Sequence, residues 1–218
     1  MRLPQHREAA RGGDLGGAVA WTVAAPSAGG GQVPIEIILE LEGRGLVNEG
    51  STSPVIVDVY GYLLDETGTV VDHLAQDLRI DDPAVVALVA DDGLVFVGEM
   101  AAAAVRYSIR LAARSRATNK FFLDAREVVI PGDPGSAPAV LPPLVSAASR
   151  EVVARPFGTD LRQLVEQTPA LNPWPSAEPV LAPGATVEVA VIHTVLAAGQ
   201  SVGLRLDGPG LGPQAISE

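Results

Sequence analysis

Val55 to Leu64 carries apolar, β-branched and aromatic side chains at successive positions: Val55, Ile56, Val57, Val59, Tyr60, Tyr62, Leu63 and Leu64. A run with such side chains on both faces predicts a central β-strand. Asp65-Glu66-Thr67-Gly68 follows, with the carboxylate and glycine of a short reversing loop, and Thr69–Ile80 predicts the return strand. Two other segments alternate with a period of two. Val33, Ile35, Ile37, Leu39 and Leu41 fall on one face, with Glu36, Glu40 and Glu42 opposite. Tyr107, Ile109, Leu111 and Ala113 alternate in the same way with Arg106, Ser108, Arg110 and Arg114. Further strands are predicted at Gly17–Ala25, Leu94–Gly98 and Phe121–Ile130, with a turn at Asn119.

Asp81-Asp82-Pro83 interrupts this pattern. An acidic N-cap before proline at the first helical position predicts a helix start, and Val85, Val86, Leu88 and Val89 supply its buried side. Asp91-Asp92-Gly93 ends it. About seven strands and one helix within 15–132 match an all-β, immunoglobulin-like antiparallel sandwich. Residues 1–14 read as a disordered polar leader. The segment 133–150 reads as a proline-rich, semi-rigid linker.

Residues 151–218 predict a second, smaller β module. Glu151–Arg155 is a candidate strand, Leu161–Glu166 is ambiguous, and Asn172–Pro175 is a turn holding Trp174. Thr186–Val195 and Ser201–Asp207 alternate as an expected strand pair. About four strands in this length fall short of a sandwich of roughly 100 residues. The module is therefore expected to be incomplete: either the chain is part of a longer protein, or the half-sandwich docks on the first domain.

Composition narrows the function classes. At 47% hydrophobic and 19% charged residues, the chain is core-forming. A formal charge of −11 opposes binding to nucleic acid or to an anionic membrane surface. Cysteine is absent, which excludes disulfides, thiolate metal sites and a thiol nucleophile. Arg2, Arg7, Glu8 and Arg11 precede no apolar stretch of a signal peptide, and no run reaches the length of a membrane span.

The hairpin also carries a family resemblance. Val59-Tyr60-Gly61-Tyr62-Leu63-Leu64-Asp65, then Gly68 and Val70, then Leu74-Ala75-Gln76, resembles the region after the A domain in bacterial von Willebrand factor A domain-related proteins. Tyr107 and Arg110, Ile130-Pro131 and Val140-Leu141-Pro142-Pro143 fit in the same order, and Pro179–Gly184 extends the likeness loosely. The alanine-rich Met100–Val105 departs from the Pro-Pro-Gly that such chains carry, and no Asp-x-Ser-x-Ser adhesion motif occurs. The resemblance implies a trailing β-module of an envelope or secreted protein, without the A domain's metal site.

Candidate chemistry is sparse. His6, His73 and His193 lie far apart, with no metal-ligand spacing around them. Asp58, Asp65, Glu66, Asp72 and Asp77 gather around the hairpin, where oxygen ligands would suit calcium. They lack the alternating acidic positions of a calcium loop, and solvated charges are the preferred reading. No G-x-S-x-G or G-x-G-x-x-G occurs, and Gly29-Gly30-Gly31 lacks the lysine and helix of a phosphate site. A carboxylate pair of the glycosidase kind is not singled out.

Tyr60, Tyr62, Tyr107, Trp21 and Trp174 form a sugar platform only if exposed together; packing within the sandwich is the preferred reading. Tyr107 suits a tyrosine corner. No catalytic, cofactor-binding or metal residue is assigned, and no cofactor. The chain is expected to be a non-catalytic structural or interaction module with a protein partner of unknown identity. The alternative is a carbohydrate- or calcium-assisted binding module.

Overall fold

The computed structural model describes residues 10–23, 31–103 and 106–130, together with five strands beyond them. The first strands are β1 (Ala10–Gly13), β2 (Gly17–Val23), β3 (Val33–Leu41), β4 (Val55–Leu64) and β5 (Val70–Ile80). There follow β6 (Leu94–Ala102), β7 (Arg106–Ser115) and β8 (Phe121–Val129). Two helices interrupt them, α1 (Gly43–Leu46) and α2 (Pro83–Asp92). Five strands run in the order β1-β8-β7-β4-β5, all pairs antiparallel. The second sheet runs β10-β6-β3-β2, where β10 is Val153–Ala154. Two packed, mainly antiparallel sheets with these crossovers make the expected all-β, immunoglobulin-like sandwich.

The core follows from the alternation. Ile35, Ile37 and Leu39 of β3, Phe96 and Met100 of β6, and Val57, Val59 and Leu63 of β4 are buried in one cluster between the sheets. Tyr107, Ile109, Leu111 and Ala113 of β7 join it. Each large aliphatic side chain contributes about 1.5–3 kcal/mol by burial. Ile38, Val95 and Val97 form a separate buried cluster with Ala20 on the other face of the four-stranded sheet. That second burial explains why β6 reads as a continuous apolar run.

Two glycines make room for one leucine. A Cβ on Gly61 would sit 2.8 Å from Leu74 Cγ, and one on Gly98 would sit 3.1 Å from Leu74 Cδ2. Leu74 of the edge strand β5 thus tucks between β4 and β6.

The hairpin turn is built as its residues predict. Asp65 Oδ1 accepts from the amides of Thr67 and Thr69, each at 2.9 Å, and from the Thr67 hydroxyl at 2.6 Å. Gly68 takes φ +85°. Helix α2 starts where Asp82 Oδ1 accepts the Ala84 amide at 2.9 Å, with Pro83 at its first position. It ends as the Gly93 amide donates to the Val89 carbonyl.

Three expectations are corrected. The leader expected to be disordered over 1–14 contains β1, paired with β8 from Ala10↔Ala125 to Gly13↔Phe122. That pairing uses backbone groups, so the glycines at 12 and 13 carry no side-chain pattern to announce it. Helix α1 was not expected at Gly43–Leu46, because one turn shows no periodicity. The Ser115 and Thr118 hydroxyls satisfy its last carbonyls by donating to Leu46 and Gly45 at 2.9 and 2.6 Å.

The third correction concerns the distal strands. These are β9 (Leu144–Ser146), which falls in the expected linker, β11 (Glu188–Ala190), β12 (Leu204–Gly208) and β13 (Leu211–Ile216). Among the described residues β11 pairs with β9, and β12 with β13, in place of the expected pairing between Thr186–Val195 and Ser201–Asp207. β12 and β13 are close neighbours in the sequence, and joining them closes a shorter loop than a pairing with the more distant β11 would. Val153–Ala154 pairs in parallel with Val95–Phe96 of the first sandwich. Leu161–Glu166, Asn172–Pro175, Val140–Pro143 and Pro179–Gly184 lie outside the described residues.

Candidate functional face

Alternation along β4 buries Val57, Val59 and Leu63, and it turns Tyr60 and Tyr62 to the outer side of the five-stranded sheet. They are 40% and 43% exposed, which corrects the expectation that both pack inside the sandwich. On β8 the inner positions are Phe122, Asp124, Arg126 and Val128, so Phe121 and Leu123 face outward, each 44% exposed.

Register aligns these side chains. Tyr60 lies opposite Ala112, and Ala112 lies opposite Leu123, so Ala112 separates an aromatic and an aliphatic wall. Tyr60 and Leu123 are two strand spacings apart, roughly 10 Å. The next row aligns His73, Tyr62, Arg110 and Ala125, and the row on the other side aligns Asp77, Asp58, Arg114 and Phe121. The result is a shallow apolar trough with alanine at its floor and an arginine at each end.

One end is held by a charge network. Arg116 donates Nε to both Asp58 oxygens at 3.0 Å, and Nη2 to Asp58 Oδ1 at 2.6 Å and to Asp77 Oδ2 at 2.7 Å. The Arg116 guanidinium holds the Asp58 carboxyl below the ordinary aspartate value, against the opposing effect of burial. The two carboxylates in turn push the Arg116 guanidinium still higher. Arg114 donates to Asn119 Oδ1 at 2.8 Å.

The acidic residues of the hairpin diverge. Asp65 turns into its own loop, where the Thr67 hydroxyl and the Thr69 amide lower its pKa. Asp72 accepts the Ala101 amide at 2.7 Å, Asp58 and Asp77 hold Arg116, and Glu66 is exposed in the turn. Among the described residues no three His, Cys, Asp or Glu side chains are grouped to hold a metal ion.

His73 sits on the outer face beside Tyr62, and Tyr107 lies inward and buried. Among the described residues no backbone group bonds the Tyr107 hydroxyl as a tyrosine corner would. Trp21 is half-buried beneath the Arg126 guanidinium, 5.7 Å from its ring centre, and takes no part in the outer face. Arg126 also pairs with the buried Asp124 at 3.0 Å. His6, His193, Trp174, Gly29 and Gly30 lie outside the described residues.

Phe121, Leu123, Ala112 and Arg116 were missed as members of this face. Their signal was the phase of β8. Asp124 and Arg126, two apart with opposite charge, occupy one side as an ion pair, and that sends Leu123 to the other.

No protein-family model matches the sequence, nor does any curated protein. Among solved structures, a Bacteroides uniformis beta-glucuronidase aligns with TM-score 0.33 and 9% identity, covering 52% of this chain and 13% of its own. A calcium-binding mutant of beta-glucuronidase 2 from the same organism gives 0.34 and 8%, covering 57% and 14%. The chain spans a small part of those proteins, and likeness at this level carries no argument about fold or activity.

Proposed function

We propose that this chain is a non-catalytic interaction module of an envelope or secreted protein, and that its partner is a protein bound on the outer face of the five-stranded sheet. The observation that carries this reading is the joint exposure of Tyr60, Tyr62, Phe121 and Leu123 around Ala112. Large aromatic and aliphatic side chains left outside a well-filled core mark interaction surfaces, where tyrosine adds contact area at low entropic cost. The resemblance of the hairpin to modules that trail bacterial A domains supports the assignment to an envelope or secreted protein.

A photo-cross-linking residue at position 62 tests this, with position 66 in the exposed turn as the control. In the source cells a discrete protein adduct is expected from position 62 and not from 66. Failure to cross-link at 62, or equal adducts at both positions, overturns the reading. The exposure of Tyr60 and Tyr62 on one face also favours a second reading, a sugar-stacking platform. Glycan binding that is abolished by Tyr60→Ser and Tyr62→Ser would establish it.

A further inference from the structure

The charges on the outer face are nearly all matched. Arg106 pairs with Glu127 at 3.1 Å and Arg79 with Asp81 at 2.9 Å. Asp58 and Asp77 share Arg116, with Arg114 opposite Asp58 in the register. Arg110 is the exception. It is exposed, sits between Tyr62 and Ala125, and has no hydrogen-bonding or ionic partner among the described residues. A lone guanidinium beside an apolar trough is a donor fork suited to one carboxylate.

We infer that the protein partner presents a carboxylate to Arg110 and, next to it, an apolar side chain that seats on Ala112 between Tyr60 and Leu123. This rests on the reading of the outer face as the binding surface, and it adds the chemistry of the partner. Arg110 and Ala112 are two residues apart on β7, about 6.7 Å. An extended segment with an acidic residue two positions from an apolar one matches that spacing.

Charge complementarity argues against a second copy of this chain. On this face the copy's carboxylates are already committed, Asp58 and Asp77 to Arg116 and Glu127 to Arg106. At Tyr60 itself a glycan would find no hydroxyl partner across the strands, because the flanking positions are Ala75 and Ala112.

The test uses the full chain and short fluorescent peptides that carry glutamate two residues from leucine in an otherwise threonine-rich extended sequence. A matched peptide with glutamine for glutamate and an oligogalacturonate serve as comparisons. The glutamate peptide is expected to bind about tenfold or more tightly than the glutamine peptide. Arg110→Gln should erase that preference without changing the melting temperature, and added salt should weaken it.

No peptide binding, a preference that survives in Arg110→Gln, or binding of the oligogalacturonate alone overturns the inference. Cross-linking at position 62 separates the two levels. An adduct that persists unchanged in Arg110→Gln removes the carboxylate requirement and leaves the interaction face standing. Absence of the adduct in the cross-linker protein that keeps Arg110 removes both.

Discussion

The carboxylate of Asp72 accepts the backbone amide of Ala101 at 2.7 Å and so ties the edge strand of one sheet to the edge of the other. Among the described residues β10 pairs with β6 only at Val95 and Phe96, so at Ala101 this side chain does the work of a neighbouring strand. Removing the acceptor leaves a half-buried amide without its partner. Asp72→Ala is expected to destabilise the fold by about 1–3 kcal/mol in chemical denaturation. Asp72→Asn retains an acceptor oxygen and should cost less; equal losses would show that the bond to Ala101 is not the source.

The fit of Leu74 between Gly61 and Gly98 makes a second prediction. Gly61→Ala places a methyl 2.8 Å from Leu74 Cγ and 3.0 Å from Leu111 Cδ2, closer than carbon atoms pack. Overpacking of this kind costs about 1–3 kcal/mol. Combining it with Leu74→Ala frees the space, so the double variant should be more stable than the sum of the two single losses implies. Strict additivity would contradict the proposed fit.

Gly68 isolates backbone strain from crowding. Its φ is +85°, and nothing lies within 4 Å of an added Cβ. Gly68→Val should therefore cost about 1–3 kcal/mol through the left-handed conformation alone. An unchanged melting temperature would mean that the turn can re-form with a negative φ.

Acid sensitivity follows from Asp58 and Asp65. Both are held below the ordinary aspartate value, Asp58 first by Arg116 and Asp65 first by the Thr67 hydroxyl. As pH falls, the unfolded chain takes up these protons before the folded one does. Their contribution is complete above the unfolded value, about 3.9, and is lost as pH drops through the lower folded values. Denaturation midpoints should fall below about pH 4, and Asp58→Asn should flatten that fall. A profile unchanged by Asp58→Asn would refute the role given to Arg116.

What the sequence disclosed depended on how far each feature is set by nearby residues. The strand at 106–115, the turn at Asp65–Gly68 and the helix after Asp82 are written in local chemistry: alternation, an Asx turn with glycine, an acidic cap before proline. β1 and α1 are not, because the first is recruited by the free edge of β8 and the second is held by Ser115 and Thr118, about 70 residues further along the chain. The outer face was hardest to see. Tyr60 and Tyr62 look like core residues in a run of apolar neighbours, and only the pairing of β4 with β7 and β8 shows that they face outward with Leu123. Arg116 was equally silent, since its partners Asp58 and Asp77 meet it only through the sheet.

The parallel pairing of Val153–Ala154 with Val95–Phe96 bears on how the protein is made. Synthesis runs from the N-terminus, and upstream segments begin to fold before downstream ones emerge. β6 leaves the ribosome some fifty residues ahead of β10, so its edge must wait, with unpaired amides and carbonyls beside the apolar Val95 and Val97. During that interval it adds an apolar free edge to those of β2 and β5, open to strand pairing with another chain. A chain that stops before residue 153 prolongs this exposure indefinitely, so premature termination carries an aggregation hazard even when the core strands are complete.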